Sequence, residues 1–274
     1  MAHRSKWMVT FLLVACFILM GISTVSAQGE FLDDTPRVAV MSAFTPELQL
    51  LLSETELPVV YTTNGVEFTT GTLAGNDVVL LLSGVSMVNA TMNTQLLFDN
   101  FNITELVFSG IAGGVNPELN IGDVTVPGQW AQYLESFFGR EMEDGSFQIP
   151  EWADQPYPNY GMMFPQTINV RTEEVPEGAE YFWFPVDADM LEVAQAVASS
   201  VELAQCPTED VCLENAPQIV VGGNGVSGQV FVDNAAFRDY VFETFGGVNV
   251  LDMESAASAM VAFANDVPFV AFRS

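Results

Sequence analysis

The chain has 274 residues, 49% hydrophobic and 11% aromatic, enough for one large α/β domain or two small ones and too apolar for disorder. Its 35 acidic residues against 7 basic ones give a formal net charge of −28, which argues against nucleic acid and anionic membranes as partners. The only lysine is Lys6 and the only histidine His3, so beyond the leader described next no imidazole or amine remains for Ser-His-Asp, Cys-His or Schiff-base chemistry or for a histidine metal site; acid–base work falls to carboxylates and cation work to five arginines.

Met1–Lys6 is basic, Trp7–Ile22 is apolar and Ser23–Ala27 carries small residues at cleavage spacing. The pattern predicts a signal peptide cut after Ala27 and an exported protein, secreted, periplasmic or extracellular. An uncleaved anchor is the rival, for which the apolar run is short. A lipoprotein signal at Leu13-Val14-Ala15-Cys16 fits less well, because the apolar run continues past Cys16. Export implies an oxidising compartment, and there Cys206 and Cys212 are expected to pair across Pro207–Val211.

Arg37–Ala43 reads as the first strand, and Phe44-Thr45-Pro46-Glu47 turns into a helix beginning near Leu48, with Pro46 suited to its first turn. Glu47 is either a helix-terminal acid favoured by the macrodipole or a group facing a pocket at the strand end. Strands are predicted at Val59–Thr63, Val66–Thr72 and Asp77–Ser83, with turns at Asn64-Gly65 and Gly75-Asn76, then a helix over Met87–Phe101. Asn89-Ala90-Thr91 and Asn102-Ile103-Thr104 match the glycosylation sequon. Glu105–Ile111 is a buried strand running into the glycine turn Ala112-Gly113-Gly114, where backbone N–H groups can approach a ligand.

Residues 129–178, rich in Pro, Gly, aromatics and acids, read as a loop-rich insertion, a lid or an interface. Tyr181–Val186 returns to the fold, and Asp187–Leu203 is expected to be a helix with Asp187 as N-cap. Gln218–Val221 is a strand, Gly222–Gly228 a permissive turn, and Ala235–Phe245 a helix. Val248–Leu251 is a short buried strand, followed by Asp252-Met253-Glu254, an alanine-rich helix over Ser255–Ala264, and a second buried strand over Val267–Phe272. Ligands of open α/β sheets sit at the carboxyl ends of strands, so Asp252 and Glu254 are site candidates rather than solvated loop acids. No internal repeat or linker is visible, and one domain over residues 28–274 is the economical reading.

Two stretches carry a family resemblance. Asp252-Met253-Glu254-Ser255-Ala256-Ala257 followed by Val267-Pro268-Phe269, and the run from Ser109 to Pro127, resemble in the correct order two signatures of the purine nucleoside phosphorylase and methylthioadenosine/S-adenosylhomocysteine nucleosidase superfamily. Val230–Asn234, Trp130–Tyr133 and Phe182–Val186 look most like its exported branch, typified by plant bark and vegetative storage proteins. The resemblance spans roughly Arg37 to Ser274 and implies a single α/β domain with a mixed central β-sheet flanked by helices.

It further implies cleavage of the N-glycosidic bond of purine nucleosides. Glu254 would accept bonds from the ribose hydroxyls, Met253 would pack on the sugar and Phe231 would stack on the base. Glu47 and Arg273 would hold the attacking water, with the Ala112 and Gly113 backbone on the nucleophile side. Ordinary core is the more frequent fate of residues such as Met253 and Phe231, Arg273 is also readable as a neutraliser of Glu254 or Asp252, and Asp252 reads as structural rather than catalytic. A phosphorylase needs cations on the phosphate, and the strand-one loop and Leu106–Ile111 contain none, so hydrolysis is favoured. Phosphorolysis would need an arginine from a neighbouring subunit, Arg140 or Arg171. Ile111 stands where many nucleosidases carry a small polar residue, which favours a third reading: a nutrient-reservoir or nucleoside-binding protein on the same fold. The family's general acid lies a few residues past the position of Arg273, so the resemblance implies a fragment lacking that acid and the last helix. No cofactor or metal is implied; the partners implied are a small-molecule nucleoside and further copies of the chain, a homodimer or larger.

Overall fold

Strand β1 (Asp33–Ser42) ends in four consecutive buried residues, the mark of a strand covered on both faces. The computed structural model to which it belongs describes residues 31–208 and 210–274; the signal-peptide reading lies outside them. From β1 the chain passes through helix α1 (Thr45–Glu54) to β2 (Glu56–Thr63), β3 (Val66–Leu73) and β4 (Asn76–Leu82), which form an antiparallel meander. Helix α2 (Met87–Asn100) leads into β5 (Phe101–Gly110), the short β6 (Gly113–Gly114), β7 (Val124–Val126) and β8 (Gln129–Gln132). After the insertion come β9 (Trp183–Pro185), α3 (Ala188–Ala198), β10 (Ile219–Val221), β11 (Asn224–Ser227), α4 (Ala235–Thr244), β12 (Val248–Asp252), α5 (Ser255–Ala264) and β13 (Phe269–Arg273).

The strands assemble into an eight-stranded sheet, ordered β10-β7-β13-β5-β1-β4-β3-β2, and a five-stranded sheet, ordered β9-β8-β11-β12-β6. Within the first, β4, β1, β5 and β13 are mutually parallel; within the second, β8, β11 and β12 are. This is a mixed α/β domain, its sheets flanked by helices. Helix α5 explains how the two sheets share a core. Five of its ten residues are alanine and seven are buried, so its backbone approaches both sheets closely. A hydroxyl pair, Thr94 Oγ1 and Ser258 Oγ at 3.0 Å, ties it to α2.

Three expectations are corrected. Residues 129–132 are a core strand rather than the start of a loop insertion: β8 lies between β9 and β11, and Trp130 is wholly buried. The rest of the insertion does consist of short two-stranded ribbons and connecting loops. Gly222–Gly228 is not a turn throughout. Gly222 and Gly223 take positive φ, of 98° and 71°, but Asn224–Ser227 is strand, and Gly225 lies flat against the Trp130 ring. Helix α3 ends at Ala198, not Leu203, because the Ser199 and Ser200 hydroxyls bond back to the Ala196 and Val197 carbonyls. Asp187 caps it, its carboxylate accepting from the Met190 N–H at 2.9 Å. Cys206 and Cys212 are joined as a disulfide in the loop after α3.

The Gly225–Trp130 contact yields a stability test. A Cβ at Gly225 would sit 2.7 Å from Trp130 ring carbons, whereas one at Gly114 would meet nothing within 4 Å. Gly225→Ala is expected to destabilise the protein by about 1–3 kcal/mol, and Gly114→Ala to stay within about 0.5 kcal/mol of the parent, as read from urea unfolding midpoints. Equal midpoints for the two variants would contradict this packing.

Candidate functional site

The carboxyl ends of β1, β5, β11, β12 and β13 and the start of α2 meet at one place, where ligands of such sheets bind. The core of that place is an ion cluster. Asp252, the last residue of β12, accepts at Oδ2 from Arg273 Nε at 2.7 Å, and Arg273 Nη2 stands at ion-pair distance from the same oxygen, 2.7 Å. Its Oδ1 accepts from the Glu254 and Ser255 N–H groups, both at 3.1 Å, and from the Ser227 hydroxyl. Ser227 Oγ in turn accepts from Ala256 N at 2.8 Å, and Arg273 Nε also reaches Ser255 Oγ at 2.9 Å. Arg273 is 1% exposed, with its guanidinium 4.3 Å from the Phe108 ring centroid.

Glu254 meets the same guanidinium at Nη2, the nitrogen also beside Asp252. Its Oε2 lies 3.4 Å from Nη2, and its Oε1 accepts from the Ser86 N–H at 2.9 Å. Ser86, the residue before α2, has φ 93° and ψ 153°, a backbone conformation largely confined to glycine. A strained residue thus aims its N–H at Glu254. Burial pushes the Glu254 carboxyl above its ordinary pKa; the Ser86 N–H opposes the rise, Asp252 adds to it and Arg273 opposes it.

Glu47 arrives from the opposite side. Its Oε2 caps its own helix, accepting from Ala43 N at 2.7 Å and Phe44 N at 3.3 Å, and its Oε1 accepts from Ile111 N at 2.7 Å. The helix-terminal reading of Glu47 therefore holds alongside a second contact that spans from β1 to β5. Glu47 Oε1 and Arg273 Nη1 both lie within 2.5 Å of the point a Cβ at Gly110 would occupy, so glycine there is what lets them approach. Arg273 Nη1 is buried and no protein group among the described residues accepts from it. A cavity of about 220 Å³ opens here, lined by Glu47, Ser109, Gly110, Ile111, Arg273 and neighbours. A larger hollow, about 1010 Å³, lies at the far ends of α5 and β13, away from these groups.

Of the sequence-named residues, Glu47, Glu254 and Arg273 converge on this cluster, and Met253 lies half-buried between two of its members. Phe231 does not join them through any packed contact: it is 86% exposed, on the loop after β11. Ala112 and Gly113 lie beside the cavity rather than in its wall. The Ala112 N–H is taken by the Ser274 carbonyl at 2.9 Å, and Gly113 pairs with Leu251. Sequence reasoning missed Gly110, Ser86 and Ser227. Only Gly110 left a signal, a glycine ending a buried strand.

A family model described as the phosphorylase superfamily matches residues 37–274. The 5′-methylthioadenosine/S-adenosylhomocysteine nucleosidases of Bacillus thuringiensis (strain Al Hakam) and Bacillus anthracis (strain A0248) are each 29% identical over 242 residues, covering 87% of this chain and 84% of theirs. Among solved structures, the nucleosidase of the same name from Neisseria meningitidis, in complex with methylthio-immucillin-A, gives a TM-score of 0.62 at 24% identity, over 86% of this chain and 83% of that one. The native futalosine hydrolase of Helicobacter pylori strain 26695 gives 0.58 at 18%, over 87% and 83%. At these identities the solved structures establish the shared fold.

The raised pKa of Glu254 has a sign that unfolding can read. The native protein keeps this proton at pH values where the unfolded chain, near 4.5, has lost it. Its contribution to stability is therefore full below that value and is lost as pH rises through the native pKa. The stability of the parent relative to Glu254→Gln should fall as pH is raised above 4.5 and then level off, in urea melts across the range. A difference that climbs with pH would mean the opposite shift.

Proposed function

The chain belongs to the phosphorylase superfamily, and on that premise we propose that it cleaves the N-glycosidic bond of purine nucleosides of the methylthioadenosine and adenosine type, with water as acceptor. The observation that carries this reading is that Glu47 Oε1 and the unpartnered Arg273 Nη1 both border the space over Gly110, while Glu254 contacts Nη2 of the same guanidinium. A carboxylate has about four acceptor positions. Three on Glu47 are taken by Ala43, Phe44 and Ile111. The remaining lone pair and the free Arg273 N–H together suit one water, accepting from the arginine and donating to the glutamate. Glu254, fixed by Ser86, is the acceptor for ribose hydroxyls. Departure of the base leaves positive charge on the sugar, and a site with carboxylates at Glu47, Asp252 and Glu254 against one arginine stabilises it.

The same charge count favours water over phosphate. Arg273 is already flanked by Asp252 and Glu254. Arg37 is engaged with Asp33 at the far end of β1, and Arg238 stands on α4 beside Asp239. A phosphate dianion at the cavity would meet the Glu47 carboxylate and a single cation already matched by Asp252 and Glu254. One observation favours a second reading, a nucleoside-binding or reservoir protein with little turnover: Ile111, 60% exposed, puts an apolar side chain at the mouth of the water cavity.

Incubation of the protein with methylthioadenosine, with and without phosphate, is the test. Adenine release without phosphate is expected, and Glu47→Gln should lower kcat by about 10²–10⁴-fold with little change in KM. Release only with phosphate would establish phosphorolysis, and no release from a panel of nucleosides would leave the reservoir reading.

We propose further that the protein self-associates through the outer face of α2. Val85, Val88 and Met92 are exposed there, 48–57%, and no charged residue occurs from Gly84 to Phe98 in a chain with 35 acids. A two-fold interface sets a patch against itself, so a strongly acidic protein can use only a patch without acids. Met92→Asp should convert a sedimenting dimer to monomer; a parent that sediments as monomer at all concentrations would dismiss this face.

A further inference from the structure

We propose that the cavity beside Glu47 takes a short-chain alcohol in place of water, so that the protein transfers the sugar to an alkyl hydroxyl as well as to water, and that Ile111 selects this acceptor. The proposal rests on the nucleoside reading above and deepens it.

Two polar groups mark the acceptor's place. Arg273 Nη1 is buried with no protein partner among the described residues, and Glu47 Oε1 borders the same space over Gly110. An incoming hydroxyl serves both, its oxygen accepting from the arginine and its hydrogen donated to the glutamate. An alcohol presents the same oxygen and hydrogen as water and differs only in what else the oxygen carries. The Ile111 N–H donates to Glu47 Oε1 at 2.7 Å. A hydroxyl held by that oxygen therefore stands beside Ile111, whose backbone the glutamate itself fixes.

The room and its walls fit an alkyl group. A buried water needs on the order of 10–15 Å³, whereas the cavity measures about 220 Å³. Three of its eight lining residues, Ile111, Val124 and Phe272, are apolar, against the polar Ser109 and Ser274 beside the charged pair. Ile111 is 60% exposed, and a methylene laid on it gains in proportion to the apolar area hidden. Glu254 and Met253 are not among the lining residues, so the spare room lies on the acceptor side and not by the proposed ribose contacts. A neutral alcohol also meets no repulsion from the Glu47 carboxylate, as an anionic acceptor would.

The step balances without a further reagent. The bond from the sugar's C1′ to the base nitrogen breaks, its electron pair leaving with the base. The alcohol oxygen gives a pair to C1′, forming the new C–O bond. The alcohol's proton passes to Glu47 and on to solvent, and the base takes one proton from solvent. Nucleoside and alcohol thus become alkyl glycoside and free base.

The protein and its Ile111→Ser variant are incubated with methylthioadenosine and, separately, methanol, ethanol, 1-propanol or ethylene glycol at one fixed concentration. Adenine, free sugar and alkyl glycoside are measured by mass spectrometry. The ratio of alkyl glycoside to free sugar is internal to each reaction, so it does not depend on how much of the variant is folded. In the parent this ratio is expected to rise about two- to fourfold per added methylene and to be higher for 1-propanol than for ethylene glycol, which matches it in size but ends in a hydroxyl. Ile111→Ser should flatten the series and remove the advantage of 1-propanol. Adenine release with free sugar alone would overturn the proposal and leave hydrolysis standing. The same ratios in parent and variant, or a preference for ethylene glycol in the parent, would overturn the assignment to Ile111. No adenine release under any condition would defeat the nucleoside reading and the proposal with it.

Discussion

Asp252 and Arg273 close the domain. Each ends a strand of a different sheet, and the buried ion pair between them, from which water is excluded, fixes how the two sheets meet. Buried ion pairs of this kind contribute little net stability over an apolar substitute, yet removing one partner is expensive because the other is left charged in a low-dielectric interior. The pair therefore acts more as a register device than as a source of stability. It is satisfied beyond the charge match: Ser227, Ser255 and the amides at the start of α5 supply the remaining bonds. With Asp252 saturated, Arg273 is left with Nη2 near Glu254 and Nη1 free. The geometry of the site follows from that distribution of one guanidinium among three carboxylates.

The arrangement sets stability against chemistry. One cation faces Asp252 and Glu254 directly and Glu47 at slightly greater distance, so the local balance is negative. Glu254 bears the cost as a raised pKa, and Ser86 as a backbone conformation that a serine rarely adopts. Neither feature is needed to fold an α/β sheet. Both make sense where an acceptor must be held rigidly at a spot that becomes cationic only in the transition state, because preorganised groups need no rearrangement when the charge appears.

Much of the fold was legible in the sequence because its strands are continuous β-branched runs and its helices are bounded by Pro46, Asp187 and the alanine series of α5. The failures have a common cause. In β8 and β11 the side-chain signal is weak: Gln129-Trp130-Ala131-Gln132 alternates only loosely, and Asn224-Gly225-Val226-Ser227 looks like turn material. Each becomes a strand through the other, since Gly225 is flat enough to receive the Trp130 ring, and such pairing is invisible along a single segment. The site shows the same division. Glu254 stood out as an acid at a strand end, and Glu47 and Arg273 through the family resemblance, whereas Ser86 and Gly110 act through backbone and through the absence of a side chain.

The charge distribution links the surface to the site. A chain with 35 acids repels its own copies and any anionic substrate, but a nucleoside is neutral and a ribosyl cation is attracted. An acidic exterior is thus compatible with this chemistry where it would oppose phosphoryl or nucleotide chemistry. It also makes the uncharged face of α2 a place where copies can meet without repulsion. That helix begins at Ser86, whose N–H holds Glu254. A second subunit on the face of Val85, Val88 and Met92 would stiffen the strained residue that holds the proposed ribose acceptor, so assembly and the proposed catalysis would be coupled through a single peptide group.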